Sequence, residues 1–128
     1  MAEFNLLQAL LDAEYKPEKD VPMRRFGAEA VFRVRALDEK ERKSLVEQAT
    51  YPVKGGGEQI DEQKFQALII AKGCVVPAWD DPKLLEGLGV STAHEAVSKR
   101  LLPGEIVKLV AAIHDVSGFG VDQDDLKN

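Results

Sequence analysis

The apolar positions of this chain recur mostly at helical spacing, and the pattern is most complete in residues 101–119. Apolar side chains recur there every three or four residues, which is typical of a helix with one buried face. Pro103 suits the first helical position, where its missing N–H needs no partner. Gly118 follows the last apolar residue, where a left-handed cap residue is needed, and Phe119 is placed for the hydrophobic contact of that cap. The pattern therefore predicts a helix from Pro103 to about Val116, against which the other elements pack.

One segment changes period, and its side chains alternate between two faces. Val31, Arg33 and Arg35 alternate there with Phe32, Val34 and Ala36. Such alternation with β-branched and aromatic residues predicts a half-buried strand. A shorter apolar run, residues 23–26, precedes Gly27. We therefore predict a β-hairpin near residues 22–37 with its turn near residues 27–30, and its apolar face must rest on helices because a lone hairpin is barely stable.

Capping residues mark the starts of four further helices. They are Asp38 with Glu41, Asp61, Asp81 before Pro82, and Thr92 with Glu95. The first of these helices should run to about Ala49. The second should carry Val75 and Val76 near its end and stop at Pro77. Between the two, residues 51–59 include three successive glycines and predict a flexible loop.

The N-terminal residues Phe4, Leu7, Leu10 and Leu11 also have helical spacing and predict a short amphipathic helix. Such a helix is marginal in isolation, so its apolar face must dock. We expect it to dock on the core of its own chain, with docking on a partner as the alternative. Residues 15–21 are charged and contain Pro17, and they are interpreted as a linker.

Together these patterns predict an α+β fold that is mostly α, a small helical domain with one N-terminal β-hairpin. Residues 1–20 form an amphipathic segment and linker, residues 21–119 the helical domain, and residues 120–128 a flexible acidic tail.

The amino-acid composition and net charge exclude several classes of function. The chain has 128 residues, of which 45% are apolar, which suits one domain with a real core. Its net charge of −5 opposes nonspecific binding to nucleic acid. Its single cysteine excludes an internal disulfide and a thiolate-rich zinc site within one chain. The N-terminus lacks the basic leader of a signal peptide, and no apolar run has the length needed to cross a bilayer.

No pattern in the sequence indicates a catalytic or metal site. The glycines at 55–57 lack the spacing of a phosphate-binding loop. Cys74 has no activating neighbour in sequence and is interpreted as a small buried hydrophobe. His94 and His114 fall on separate helices, and no third ligand is indicated. We therefore predict no enzymatic activity, no catalytic residue, no cofactor and no metal.

Four arginines form the only local basic cluster, namely Arg24, Arg25, Arg33 and Arg35. A solvated strand face explains them most simply, since charge on such a face is usually solvation. The alternative is a patch for an acidic partner. With Phe4, Leu7, Leu10 and Leu11 they make up our predicted partner-binding residues.

Three segments read together resemble a known family. They are the MRRFG and VFRVRALDEKE stretches, the middle FQALIIAKGCVVPAWDDPKLLEGLGV, and the end AVSKRLLPGEIVKLVAAIHDVSGF. In this order they resemble the XkdN-like tail assembly chaperones of phages and defective prophages. The resemblance implies a non-enzymatic protein of the bacterial host cytoplasm that binds the tape measure protein, with tail tube subunits as a further possible partner, and neither nucleic acid nor membrane.

A small DNA-binding or regulatory protein is the alternative interpretation. It would use residues 92–102 and 103–116 as a helix-turn-helix. The second of these helices exposes only Lys108 as a cation, whereas a recognition helix needs several side chains for phosphates and base edges.

Overall fold

A computed structural model describes residues 4–13 and 16–118. The described part is an α+β fold with six helices and two small antiparallel sheets. The elements in chain order are α1 (Leu6–Asp12), β1 (Glu18–Pro22), a 3-10 turn (Arg24–Phe26), β2 (Val31–Arg35), α2 (Glu39–Ala49), β3 (Thr50–Pro52), β4 (Glu58–Ile60), α3 (Glu62–Gly73), β5 (Cys74–Val76), α4 (Pro82–Leu88), α5 (Ala93–Arg100) and α6 (Pro103–Val116). The mostly helical α+β class predicted from periodicity agrees with this architecture.

The N-terminal hairpin is present, and its second strand lies where the alternation placed it. Phe32 and Val34 are buried while Val31 and Arg33 are exposed. Its first strand differs from the prediction, because residues 24–26 form the 3-10 turn and β1 occupies part of the predicted linker. Charged β1 becomes a strand because its register sets Asp20 opposite Arg33 and Glu18 opposite Arg35. Opposite charges on facing strands stabilise the pair.

A third strand was predicted as the end of a helix. Helix α3 ends at Gly73, and β5 pairs antiparallel with β2, giving the order β1-β2-β5. Val75 and Val76 therefore extend the sheet and do not continue the helix. Their β-branched side chains favour a strand once β2 offers an open edge.

The predicted flexible loop at 51–59 is a second hairpin, β3–β4. Its turn is closed by the Val53 N–H, which donates to the Gly57 carbonyl at 3.1 Å. The three glycines of the turn have φ values of 96°, 100° and 86°. Only glycine adopts such values at low cost. The three glycines on which the prediction of a flexible loop was based therefore allow the tight turn of this hairpin.

The predicted helix caps are confirmed. The Glu41 N–H donates to Asp38 Oδ1 at 2.7 Å, and the Asp38 N–H donates to Glu41 Oε1 at 3.2 Å, which is a complete capping box. Asp61, Asp81 and Thr92 each accept from the first turn of their helix. Helix α6 has the predicted bounds, and Gly118 follows it at φ 94°. Phe119, Tyr15 and the predicted acidic tail lie outside the described residues.

Helix α6 packs against α3 and the first two strands, and α3 also contacts α2 and α5. The most fully buried large side chains come from these elements: Ile69, Ile70, Leu109, Ile113, Val34 and Val97. Trp79 is buried and stands edge-on to Phe32, with ring centroids 6.1 Å apart. Its indole N–H has no hydrogen-bond partner among the described residues. The indole lies beside Cys74, whose sulfur is a weak acceptor.

Candidate functional site

Helix α1 is held by local contacts near the N-terminus. Asn5 caps it, since its Oδ1 accepts from the Gln8 N–H at 3.2 Å. The Gln8 side chain in turn donates to Asp12 at 2.9 Å, one helical turn further on. No residue of the helix is buried. A helix this short gains little from its own hydrogen bonds, so its apolar side chains would normally be covered.

The apolar face of α1 is open to solvent. Phe4 is 81% exposed, Leu7 74%, Leu10 67% and Leu11 79%. The expected docking of this face on the core of the same chain is therefore wrong. Leu6, which is 60% exposed, joins the same surface. Leu6 was not among the predicted partner-binding residues, although its spacing of four from Leu10 was a visible signal. We call these five side chains the α1 apolar face.

Arg25 is engaged within its own chain. It forms a two-pronged ion pair with Glu105 at 2.7 and 2.8 Å and donates to the Arg100 carbonyl at 2.7 Å. Its guanidinium also lies over the ring of Phe26, 4.3 Å from the centroid. The hydrogen bond from Arg25 is the main reason that the pKa of Glu105 is lowered. This contact ties the 3-10 turn to the start of α6.

Arg33 and Arg35 are also paired. Arg33 donates to Asp20 at 3.0 Å across the β1–β2 hairpin. Arg35 binds both carboxylate oxygens of Glu41, at 2.8 and 3.2 Å. That hydrogen bond is the largest cause of the lowered pKa of Glu41, about 2.

Arg24 differs from the other three arginines because it forms no ion pair with any residue in the described ranges. Three of the four predicted partner-binding arginines thus have intramolecular acidic partners. No hydrogen bond or ion pair within the described ranges joins α1 to any of them.

Helix α6, the recognition helix of the alternative DNA-binding interpretation, is packed against the rest of the domain. Leu109 and Ile113 of α6 are buried. The Lys108 ammonium donates to the Pro22 carbonyl, and Asp115 pairs with Lys19 at 3.1 Å. Its one predicted exposed cation is therefore bound to the neighbouring strand, which argues against the helix-turn-helix interpretation.

The polar residues considered for chemistry do not converge in the described part of the chain. His94 and His114 line different surface grooves, and no group of three histidine, cysteine or acidic residues there could hold a metal ion. Burial raises the pKa of Cys74 to about 11, so its thiol is protonated at neutral pH. No helix in residues 4–13 and 16–118 has the length and hydrophobicity to cross a bilayer.

One solved structure is similar in fold over nearly the whole chain. It is the crystal structure of the protein yqbn, a structural genomics target, at 19% identity and a TM-score of 0.71. The alignment covers 93% of this chain and 99% of that one. At this identity the likeness supports the fold alone.

The sequence was also compared with curated proteins and with protein families. No curated protein sequence matches the chain significantly. The family described as phage XkdN-like tail assembly chaperone protein matches residues 7–128. That match spans nearly all of the chain and includes the segments whose resemblance was noted above. The chain therefore belongs to the XkdN-like family of phage tail assembly chaperones.

Proposed function

We propose that this protein acts in the host cytoplasm as a tail assembly chaperone that binds the tape measure protein of its phage and keeps it soluble. Tail tube subunits are a further partner in this proposal. The family supplies the role in tail assembly. The observation that carries the binding step is the α1 apolar face, whose large side chains are 60–81% exposed.

An exposed apolar face of this kind suits a helical partner. An amphipathic helix is recognised through apolar anchors at spacings of three and four residues. Leu7, Leu10 and Leu11 offer anchors at those spacings, with Phe4 one turn earlier. A long helical partner with its own apolar stripe would bury these side chains, and each buried leucine would contribute about 1.5–3 kcal/mol.

Charge would assist the same role without supplying the affinity. The net charge of −5 keeps a complex in solution by self-repulsion. Three of the four arginines are already paired, so their part in binding is confined to orientation and encounter rate. Arg24, which has no acidic partner in residues 4–13 and 16–118, is the arginine best placed to contribute.

The experiment is co-expression of the cognate tape measure protein with and without this protein. We expect the tape measure protein to move from the insoluble to the soluble fraction and to co-purify with the chaperone. A tape measure protein that is equally insoluble in both cases, with no co-purification, would overturn the proposal. An unrelated acidic protein of similar size, co-expressed at the same level, controls for nonspecific effects.

A further inference from the structure

Among the described residues, no strand lies beside the outer edge of β1. The order of its sheet is β1-β2-β5, so β1 pairs on one side alone. The Met23 N–H donates to the Ala30 carbonyl at 2.9 Å, which fixes the phase of the ladder. Because hydrogen-bonded and non-hydrogen-bonded pairs alternate along antiparallel strands, Lys19 and Val21 also bond to β2. The residues between them therefore turn their backbone groups away from the sheet.

Glu18 and Asp20 are the residues whose backbone groups point outward. Together they present two N–H and two C=O groups along the open edge. Within residues 4–13 and 16–118, no further element bonds to the backbone of either residue. Pro22, the next outward residue, has no N–H, and its carbonyl accepts from the Lys108 ammonium. The unpaired stretch from Glu18 to Asp20 is thus a template for a further strand.

A groove runs between this open edge and α6. It has a volume of about 730 Å³ and is lined by residues 19–22 of β1 and by residues of α6 between Lys108 and Asp115. We call it the β1 edge groove. Lys19 binds Asp115 at 3.1 Å, and Lys108 binds the Pro22 carbonyl, so the two elements are held together at both ends of the groove.

The two faces of an added strand would meet different surroundings. Side chains on the α6 side would lie against Val21 and Ala111, which are apolar. Side chains on the other face would lie beside Glu18 and Asp20, which share the guanidinium of Arg33 at 3.9 and 3.0 Å. Both carboxylates stay about half exposed, with 42% and 58% of their side chains accessible. A basic side chain opposite them would complete the charge pairing.

A second copy of this chain fits the edge poorly. Antiparallel pairing of residues 18–20 from two copies places either Asp20 opposite Asp20 or Lys19 opposite Lys19. Like charges directly opposite each other destabilise a strand pair. Pro22 also offers no N–H to extend such a pairing. The charges of β1 therefore favour a different occupant, one that carries cations where β1 carries carboxylates.

We propose that the β1 edge groove binds an extended segment of a partner protein, in which basic and apolar residues alternate. The segment adds a strand to the sheet through the backbone of Glu18 and Asp20. Its basic side chains lie beside these two carboxylates, and its apolar side chains lie against Val21 and Ala111. Main-chain hydrogen bonds supply affinity in this mode of recognition, and the alternating side chains supply specificity. This inference goes beyond the proposed function and does not depend on the α1 apolar face.

Nuclear magnetic resonance of the full chain with a capped peptide, Thr-Lys-Val-Lys-Val-Lys-Thr, tests the added strand. In the free protein the Asp20 amide should exchange rapidly with solvent, whereas the Val21 amide is already bonded to β2. With saturating peptide, exchange of the Asp20 amide should slow at least about fivefold while that of Val21 changes little. Chemical-shift changes should concentrate in β1 and around Ala111. Absence of saturable binding at millimolar peptide would overturn the proposal.

Two modified peptides test the backbone pairing itself. Residues directly opposite Glu18 and Asp20 turn both their side chains and their N–H groups towards β1, so these are the lysines of the peptide. N-methylation of the lysine backbone amides should therefore abolish binding, whereas N-methylation of the valine amides, on the far edge, should leave it intact. Equal binding of the two modified peptides would refute strand addition.

Matched variants of the protein test the groove and the charge. Ala111→Gln places a longer side chain in the groove and should weaken peptide binding at least about fivefold, whereas Val107→Gln, on another exposed position of α6, should not. Asp20→Asn should weaken binding, and Glu29→Gln should not. Slow Asp20 exchange in the free protein at every concentration would show an edge already closed within the chain and would overturn the proposal. Exchange that slows with protein concentration alone would assign the edge to a second copy and would equally overturn it.

Discussion

Gly73 lies directly against Ile113, and this contact joins the end of α3 to the last turn of α6. A Cβ atom at position 73 would lie 2.6 Å from Ile113 Cδ1 and 3.0 Å from Cγ1. Both residues are buried. A glycine inside a helix ordinarily costs about 1 kcal/mol relative to alanine, and the sequence around Gly73 shows no reason for it. In the structure it is the position on α3 that the Ile113 side chain covers, so a Cβ there requires Ile113 or one of the helices to shift.

Gly73→Ala should therefore destabilise the fold, by about 1–3 kcal/mol, because overpacking displaces Ile113 or shifts a helix. Gly87→Ala is the matched control, since Gly87 also lies in a helix and a Cβ there meets nothing within 4 Å. That change should be neutral or stabilising by up to about 1 kcal/mol. Urea unfolding measures both. Equal midpoints for the two variants would contradict the close approach.

Gly118→Val should lower the global stability more than Gly56→Val. Both glycines have positive φ, 94° and 100°, so valine is strained by about 1–2 kcal/mol at either position. Gly118 follows the central helix, whereas Gly56 lies in the turn of the exposed β3–β4 hairpin, which can open locally. The urea midpoint should fall for Gly118→Val and change little for Gly56→Val. The reverse order would show that the hairpin supports the core.

The stability of the fold should depend on pH in the acid range because of Glu41. Its pKa is lowered from 4.5 to about 2, chiefly by the hydrogen bond from Arg35. The folded state favours the charged form of Glu41. The contribution of this carboxylate to the free energy of unfolding is therefore complete above pH 4.5 and is lost as the pH falls towards 2. Glu41→Gln should cost about 1–3 kcal/mol at neutral pH and flatten the pH dependence of unfolding in that interval. Glu39→Gln, a more exposed glutamate of the same helix, should leave the slope unchanged.

Arg25→Ala should lower the urea midpoint, whereas Arg24→Ala should not. Arg25 links the 3-10 turn to Glu105 and to the Arg100 carbonyl, while its neighbour Arg24 makes no such contact within the described ranges. Glu105→Gln should reproduce part of the Arg25 effect, and the double variant should cost less than the sum of the two. Additive effects would indicate that the pair contributes nothing beyond its separate residues.

The features predicted correctly are those that depend on neighbours in sequence. Asp38 and Glu41 form a capping box within three residues, and Gly118 follows a helix end that local spacing defines. The alternation of β2 is likewise local. Such signals are independent of where the element packs, so they survive in the folded chain.

The features missed depend on distant partners. Charged β1 resembles a linker until Arg33, thirteen residues away, faces Asp20. Val75 and Val76 continue a helical spacing until the edge of β2 becomes available. For the candidate site, periodicity identified α1 and its leucines, but their exposure follows from a core completed by other helices. Likewise, no local signal shows that Arg25 binds Glu105, eighty residues away.

The most direct test of the central claim is the affinity of the full chain for the tape measure protein after Leu7→Ser and Leu10→Ser together. Both side chains are more than 60% exposed, so the free energy of unfolding should change by less than about 0.5 kcal/mol. The dissociation constant should rise at least about tenfold, since two apolar anchors are lost. Val107→Ser is the control, since Val107 lies on α6 and is 61% exposed. This change should leave the dissociation constant unchanged. An unaltered dissociation constant for the double variant would contradict the account.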